Sequence, residues 1–431
     1  MAQATVQFEG RVDTARKARL AAVAWVLTAV YYFYQYALRS APAVMMPELS
    51  SAFNINAVAV ASIVGLFYYG YSPFSLVAGA AMDRIGPRRL LPGAAAVVGI
   101  GALLFASGNT TLASLGRFLQ GAGGVFALVG AIYIATKNFA PSKAATLIGA
   151  TQMFGMAGGS AGQFVVGPII GSGVAWNHFW IGMGVLGLLF GIALFFMIPG
   201  EDSAPATVGG LKPIVQAFAT VFKNPQSILC GLIAGLMFIP TTIFDMIWGV
   251  RFLQDAHGVD YGTAVMRSAT VPFGWIIGCP LLGLLSDRIG RRKPVIIGAA
   301  VVLFACIAWI LYGIPGVLPP FVIGLITGIA SGAAMLPYTV IKEAHPPELN
   351  GTATGLMNFL CFTFSALVGP VFGWIMQNVS AGSSVGLEEY QLTFKPLLWG
   401  VGLAIVLTFG LKETGTAARV PVRRVRAVES I

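Results

Sequence analysis

GAAMDRIGPRR (79–89) and GLLSDRIGRRK (283–293) share the core Asp-Arg-Ile-Gly, and the second copy follows the first by 204 residues. A second match lies downstream at nearly the same offset, YIATKNFAP (133–141) against YTVIKEAHP (338–346). In it Tyr133 pairs with Tyr338, Lys137 with Lys342 and Pro141 with Pro346. Two independent matches at nearly one offset mean that the second half of the chain repeats the first. Each basic motif sits between two long apolar runs, so the repeated unit is membrane-embedded. Duplicated membrane units place a substrate site at their interface, near the bilayer midplane.

Composition agrees. The 431 residues are 57% hydrophobic and 10% charged, with a mean hydropathy of +0.81, whereas a soluble domain carries roughly 25% charged residues. Apolar stretches recur at lengths that cross a hydrocarbon core of about 30 Å. With no water there to satisfy the backbone, each must be helical. The expected spans are 20–46, 57–82, 90–107, 111–136, 144–171, 178–199, 226–252, 264–286, 294–312, 317–341, 351–377 and 394–411. The chain is therefore read as an all-α integral membrane protein of two pseudo-symmetric six-helix bundles, 20–199 and 226–411. A cytoplasmic tail (1–19), a Gly/Ala/Pro/Ser-rich cytoplasmic linker (200–225) and a basic cytoplasmic tail (412–431) complete it. The first apolar run is too long for a signal peptide and lacks a cleavage site, so it is expected to be retained.

The net charge of +10 is not that of a nucleic-acid binder, because of where it falls. Most of the 26 lysines and arginines lie in the tails and in alternate loops; Arg39, Arg117, Arg251, Arg267 and Lys395 are the exceptions. That bias puts both termini in the cytoplasm of a cell (inner) membrane. Cys230, Cys279, Cys306 and Cys361 fall in apolar segments without CxxC or CxxH spacing and read as packing residues. His178, His257 and His345 lie at loops or helix ends, so no metal site is expected. No phosphate-binding Walker loop and no nucleophile–base spacing is present, which argues against an enzyme, and no cofactor is implied.

The two basic motifs resemble the loop between helices 2 and 3 of the major facilitator superfamily, G-x-x-x-D-[RK]-x-G-[RK]-[RK]. The first copy keeps Gly79, Asp83, Arg84, Gly86, Arg88 and Arg89, with Pro87 replacing a basic residue; Gly283, Asp287, Arg288, Gly290, Arg291 and Arg292 fit more fully. RFLQGAGG, with Arg117, Gln120, Gly121 and Gly123, is similar to the helix 4 motif of that family. The resemblance implies the major facilitator fold and transport by alternating access. On physical grounds Asp83 and Asp287, at helix ends among arginines, suit a latch that holds one conformation and breaks in another, with Arg84, Arg88, Arg288 and Arg291 as gating partners. The alternative is a basic loop that only sets topology.

Ionisable groups inside spans are expensive and mark function. Arg39 lies about 10 Å below the external end of its helix, too deep to reach water freely. Tyr32, Gln35, Tyr36 and Arg39 stand at i, i+3, i+4 and i+7 and so share one helix face. A guanidinium beside phenols and an amide makes a fork of donors suited to a carboxylate or phosphate. The other reading is a structural network at the external mouth. The stretch YYFYQYALRSAPAVMMPEL (31–49) is similar to helix 1 of the organophosphate and organic-anion branch of the superfamily, the glycerol-3-phosphate antiporter type. That likeness implies that Arg39 binds the anionic group of the substrate. The second arginine of that type, in helix 7, is replaced here by Thr241 or Thr242, which favours a monocarboxylate, a zwitterion or a mixed organic anion over a phosphate ester.

Asp245 is the carboxylate deepest within a span. Withdrawal from water favours the neutral acid, which fits a proton carrier; a permanent partnership with Arg39 is the competing reading. Arg117 matches the family's motif arginine, associated with proton coupling, and would otherwise bind backbone. Tyr68 and Tyr69, midway along helix 2, suit the pathway better than an interfacial belt. Gln152 aligns with Asn358 at an offset of 206, so the two are expected to face one cavity from both halves. The leading expectation is a monomeric secondary transporter of a small organic anion, coupled to protons or to a counter-anion. A multidrug or cation–proton exporter, or an amino-acid or siderophore importer, is the alternative.

Overall fold

The computed structural model describes residues 2–198, 211–313, 319–346, 349–380 and 385–415. Among them twelve helices are long and apolar enough to cross a membrane. The first half holds span 1 (Ala18–Val44), span 2 (Ala57–Met82), span 3 (Pro87–Phe105), span 4 (Thr110–Asn138), span 5 (Thr146–Gly171) and span 6 (Trp176–Met197). The second holds span 7 (Pro225–His257), span 8 (Tyr261–Ile289), span 9 (Lys293–Tyr312), span 10 (Phe321–Glu343), span 11 (Asn350–Ser380) and span 12 (Leu387–Phe409). The chain is a multi-pass membrane protein. Its two ends are distinguished below as the basic end, which carries both Asp-Arg-Ile-Gly loops, and the opposite end.

Local chemistry sets the boundaries. Asn56, Asn109, Asn224 and Asp260 cap helix starts by accepting from backbone amides two or three residues on. Gly258 and Gly290 close spans 7 and 8 in the left-handed conformation, φ 60° and 69°. Some features differ from the sequence reading. Span 12 begins at Leu387, because Glu389 folds back to accept from the Gly386 amide at 2.8 Å and so caps a helix with two early glutamates. The stretch read as linker contains a helix, Leu211–Lys223, and its residues 200–210 lie outside the described residues, as does 416–431 of the basic tail.

Small residues let the helices approach. A Cβ on Gly121 of span 4 would fall on the Phe67 carbonyl oxygen of span 2, so only glycine fits this crossing. In span 5, Gly155, Gly158 and Gly162 face span 1, whereas Gly159 and Gly167 face the other half through Met246, Pro272 and Val265.

The halves meet along two helix pairs. Span 2 lies along span 11, where the Ser72 hydroxyl donates to the Phe359 carbonyl at 3.0 Å and stands 2.6 Å from Thr363 Oγ1. Span 5 lies along span 8, where Ser160 donates to the Ala269 carbonyl at 3.0 Å. Towards the opposite end the Tyr261 hydroxyl donates to the carbonyls of Val44 at 2.6 Å and Gly167 at 3.2 Å.

Span 7 is irregular. It is α-helical over Pro225–Ile239, wound as a π-helix over Pro240–Gly249, and α-helical again over Val250–His257. A π-wound segment of this length is rare, and such segments gather at functional sites.

Candidate functional site

Arg39 decides the site. It is 1% exposed and lies inside the bundle, away from the lipid-facing surface. Its guanidinium carbon stands 4.1 Å from the ring centroid of Tyr36, 4.7 Å from Phe67, 4.8 Å from Tyr71, 5.2 Å from Phe362 and 5.8 Å from Tyr68. Spans 1, 2 and 11 supply these rings, so both halves enclose the cation. Face-on aromatic contact favours a cation by about 0.5–2 kcal/mol per ring. It leaves the in-plane donors poorly served: none of the three guanidinium nitrogens makes a well-aligned hydrogen bond among the described residues, although the Tyr71 hydroxyl lies close by. The carboxamide of Gln35, one turn earlier on the same face, and the Tyr71 hydroxyl are likewise buried and unpaired. Polar groups left so in a low-dielectric interior are costly, and they cluster where a ligand completes them.

Around this centre each half makes a tyrosine–amide hydrogen bond, the amides Gln152 and Asn358 corresponding in the repeat and the tyrosines not. The Tyr32 hydroxyl donates to Gln152 Oε1 at 3.0 Å, joining spans 1 and 5. The Tyr338 hydroxyl donates to Asn358 Oδ1 at 2.7 Å, joining spans 10 and 11. The Gln152 amide then reaches Met335 Sδ in the other half at 3.5 Å, and Asn358 Nδ2 is buried without a partner. Tyr68 donates to the Thr242 carbonyl at 3.1 Å. Thr242, where the resemblance to the antiporter type would put a second arginine, instead faces Ser365 Oγ at 3.0 Å.

Tyr69 does not join this group. It is 38% exposed, beside Ile243, Ile247 and Pro370 rather than near Arg39. The reason is helical period: Tyr68, Tyr71, Ser72 and Ser75 share one face, and Tyr69 is turned about 100° away. Tyr71 was legible by that spacing, whereas Phe67 and Phe362 look in sequence like lipid-facing aromatics.

Asp245 sits apart from Arg39, and no ion pair joins them among the described residues. It is 4% exposed. Ser268 donates to its Oδ1 at 2.8 Å, Gln163 of the first half approaches its backbone carbonyl at 3.5 Å, and Oδ2 has no partner. Arg117 is buried and spends its donors on structure: the carbonyls of Leu38 at 3.0 Å and Val64 at 3.3 Å, and Gln120 Oε1 at 2.7 Å. It thereby registers spans 1, 2 and 4 one residue from Arg39.

At the basic end the second motif forms a network, though not through the arginines expected. Arg288 and Arg291 are exposed. The left-handed turn at Gly290 brings Arg292 inward instead, where it donates to Asp287, to Ser286 Oγ at 2.9 Å and to Glu343 at 2.7 Å and 3.3 Å. Hydrogen bonding to Glu343 is the main cause holding the Arg292 guanidinium above its ordinary pKa. In the first motif Arg88 stands 6.0 Å from the Phe195 ring. The side chain of Asp83 lies outside the described residues.

Comparison with known proteins agrees with this architecture. Residues 28–370 match the family model described as Major Facilitator Superfamily. The chain is 26% identical to the hexuronate transporter of Bacillus subtilis over 82% of its own length and 87% of that protein's. It is 22% identical to the gentisate transporter of Corynebacterium glutamicum over 71% of its length and 70% of that protein's. Among solved structures, the D-xylose–proton symporter superposes with a TM-score of 0.69 at 15% identity, covering 91% of this chain and 97% of that one. The likeness of span 1 to the organic-anion branch stands alongside these relatives. A duplicated six-helix membrane fold, repeated basic loops and a buried polar centre shared by both halves thus come with a matching family model: the chain belongs to the major facilitator superfamily and is a membrane transporter.

Proposed function

We propose that the protein carries a small organic anion across the inner membrane by alternating access, driven by protons or by exchange against a second anion. The observation that carries the reading is the Arg39 guanidinium, buried between both halves with no well-aligned acceptor for its donors. A carboxylate supplies the two acceptors that the fork lacks. In this reading Tyr32, Gln35, Tyr36, Tyr68, Gln152 and Asn358 line the site, and Tyr71 takes the place expected of Tyr69. The relatives support a carboxylate, since hexuronate and gentisate each carry one. The cage disfavours the alternative of a cationic cargo, because its π faces already hold the protein's own cation.

Coupling falls to Asp245. Its carboxyl lies where span 7 is π-wound, and its backbone touches Gln163 of the other half, so a change of charge there bears on the contact between halves. Arg117 assists by fixing span 1 against spans 2 and 4. Asp287 and Arg292 form the gate of the second half, with Arg288 and Arg291 at its rim; Asp83, Arg84 and Arg88 serve the first. The basic end faces the cytoplasm, with both termini, and the working unit is a monomer.

Uptake of labelled galacturonate and gentisate into proteoliposomes tests the proposal, with a cationic dye as control. Accumulation of an acid by the native chain, lost in Arg39→Lys, is the expected result. Transport of the dye alone would overturn it.

A further inference from the structure

Away from Arg39, a cavity of about 450 Å³ lies within the second half, framed by spans 7, 8, 9 and 10. It runs from Asp245 to the end opposite the basic loops, where His257, Val259 and Gly313 line it. None of the five rings around Arg39 borders it, so it is a separate chamber. Its size suits a small ligand, and its walls are largely apolar, as such sites are.

Two polar atoms in this chamber's walls stand out. Ser268 satisfies one oxygen of Asp245, leaving Oδ2 buried as an acceptor without a donor. On span 8 the neighbouring Arg267 also lines the cavity, and its Nε is a buried donor without an acceptor. No ion pair joins the two residues, an acid and a base that border one chamber. Gly249 keeps the room: a Cβ there would sit 2.8 Å from Ser268 Oγ and 3.0 Å from Asp245 Oδ1.

We propose that this chamber is a second ligand site, reached from the end opposite the basic loops, that takes a small zwitterion with an apolar body. The ammonium hydrogen-bonds Asp245 Oδ2, the anionic end pairs with Arg267, and the apolar body fills the space between Phe244, Val271 and Ile310. A ligand with one charge would leave the other group unpaired, and a polar body would lose the apolar wall. The site goes beyond the anion reading, in which Arg39 binds the cargo and here takes no part; it shares with that reading only Asp245. Occupancy would hold Asp245 in its charged form, so a ligand here would also slow any step that requires the neutral acid.

Calorimetric titration of the full chain in nanodiscs tests this with L-phenylalanine as the zwitterion. 2-Phenylethylamine and 3-phenylpropanoate are the single-charge probes. Phenylalanine is expected to bind, with each single-charge probe weaker by about tenfold or more. Asp245→Asn and Arg267→Gln should each cost about as much, and Arg39→Lys should leave the affinity unchanged. Ile310→Trp, which fills the chamber without touching either charge, should abolish binding and guards against a misfolded charge variant. Failure of phenylalanine to bind would overturn the proposal. So would equal binding of the amine, or loss of binding in Arg39→Lys with retention in Arg267→Gln, which would place the ligand at the central site.

Discussion

The Tyr68 hydroxyl donates to the Thr242 carbonyl across the boundary between the halves, at 3.1 Å. Its ring stacks on Phe362 at 6.1 Å and also faces Arg39. One residue therefore touches the site and ties the halves. Tyr68→Phe keeps the ring and removes the tie, which is worth about 1 kcal/mol for a neutral hydrogen bond. Turnover is expected to change several-fold with little change in KM, as measured by initial uptake rates over a range of substrate concentration.

Arg39→Lys keeps the charge and loses the planar fork. Affinity for a carboxylate substrate should fall about tenfold or more, since a bidentate pair becomes a single contact. Tyr36→Phe retains the ring under the guanidinium and should be nearly silent. Equilibrium binding to the purified protein checks both, and equal losses in the two variants would contradict the assignment.

Asp245→Asn fixes a neutral side chain in place of a titrating one. Uphill accumulation driven by a pH gradient should disappear while downhill exchange of substrate continues. Counterflow and gradient-driven uptake in the same vesicles separate the two.

The span pattern, the duplication and Arg39 were all legible in sequence. Long apolar runs have few alternatives in lipid, and a lone guanidinium within one must face the interior. Harder features depend on rotation about a helix axis. Tyr69 and Tyr71 differ by two positions and point to different surroundings, which the count from Tyr68 by threes and fours could have shown. Arg292 rather than Arg291 reaches Glu343 because of the turn at Gly290, and a run of basic residues does not reveal which one turns inward. The separate chamber beneath Asp245 was harder to read: Asp245 and Arg267 stand out in sequence, but the apolar residues that complete its wall are scattered over four spans.

Asp260 caps span 8, and its hydrogen bonds with Thr263 hold its carboxyl below the ordinary carboxylate range. A depressed carboxyl contributes stability that is present above the unfolded value and lost as pH falls through the folded one. The gap in thermal midpoint between the native chain and Asp260→Ala should therefore be full near neutrality and close as pH drops through that window. Asp260→Asn, which also caps, should hold its midpoint over the same range. Thermal melts in detergent between neutral and acid pH measure this.

Arg292 and Glu343 belong to one partly exposed network. A double-mutant cycle with Arg292→Gln and Glu343→Gln should give a coupling of about 1 kcal/mol or less, reduced further by salt. Distance measurements between labels on the two halves should show the same variants moving the balance of conformers towards opening at the basic end.

Span 7 is wound over Pro240–Gly249 with more residues to the turn than the helix on either side of it. A segment in that state has slack: by tightening to the ordinary winding it would rotate everything beyond it without breaking the helix or dragging a loop. Asp245, Trp248 and Gly249 would then present themselves to different neighbours, and the carboxyl could exchange one chamber for the other. A rigid rod cannot do this. Rewinding of that kind would make the middle of the seventh crossing a swivel that needs no hinge.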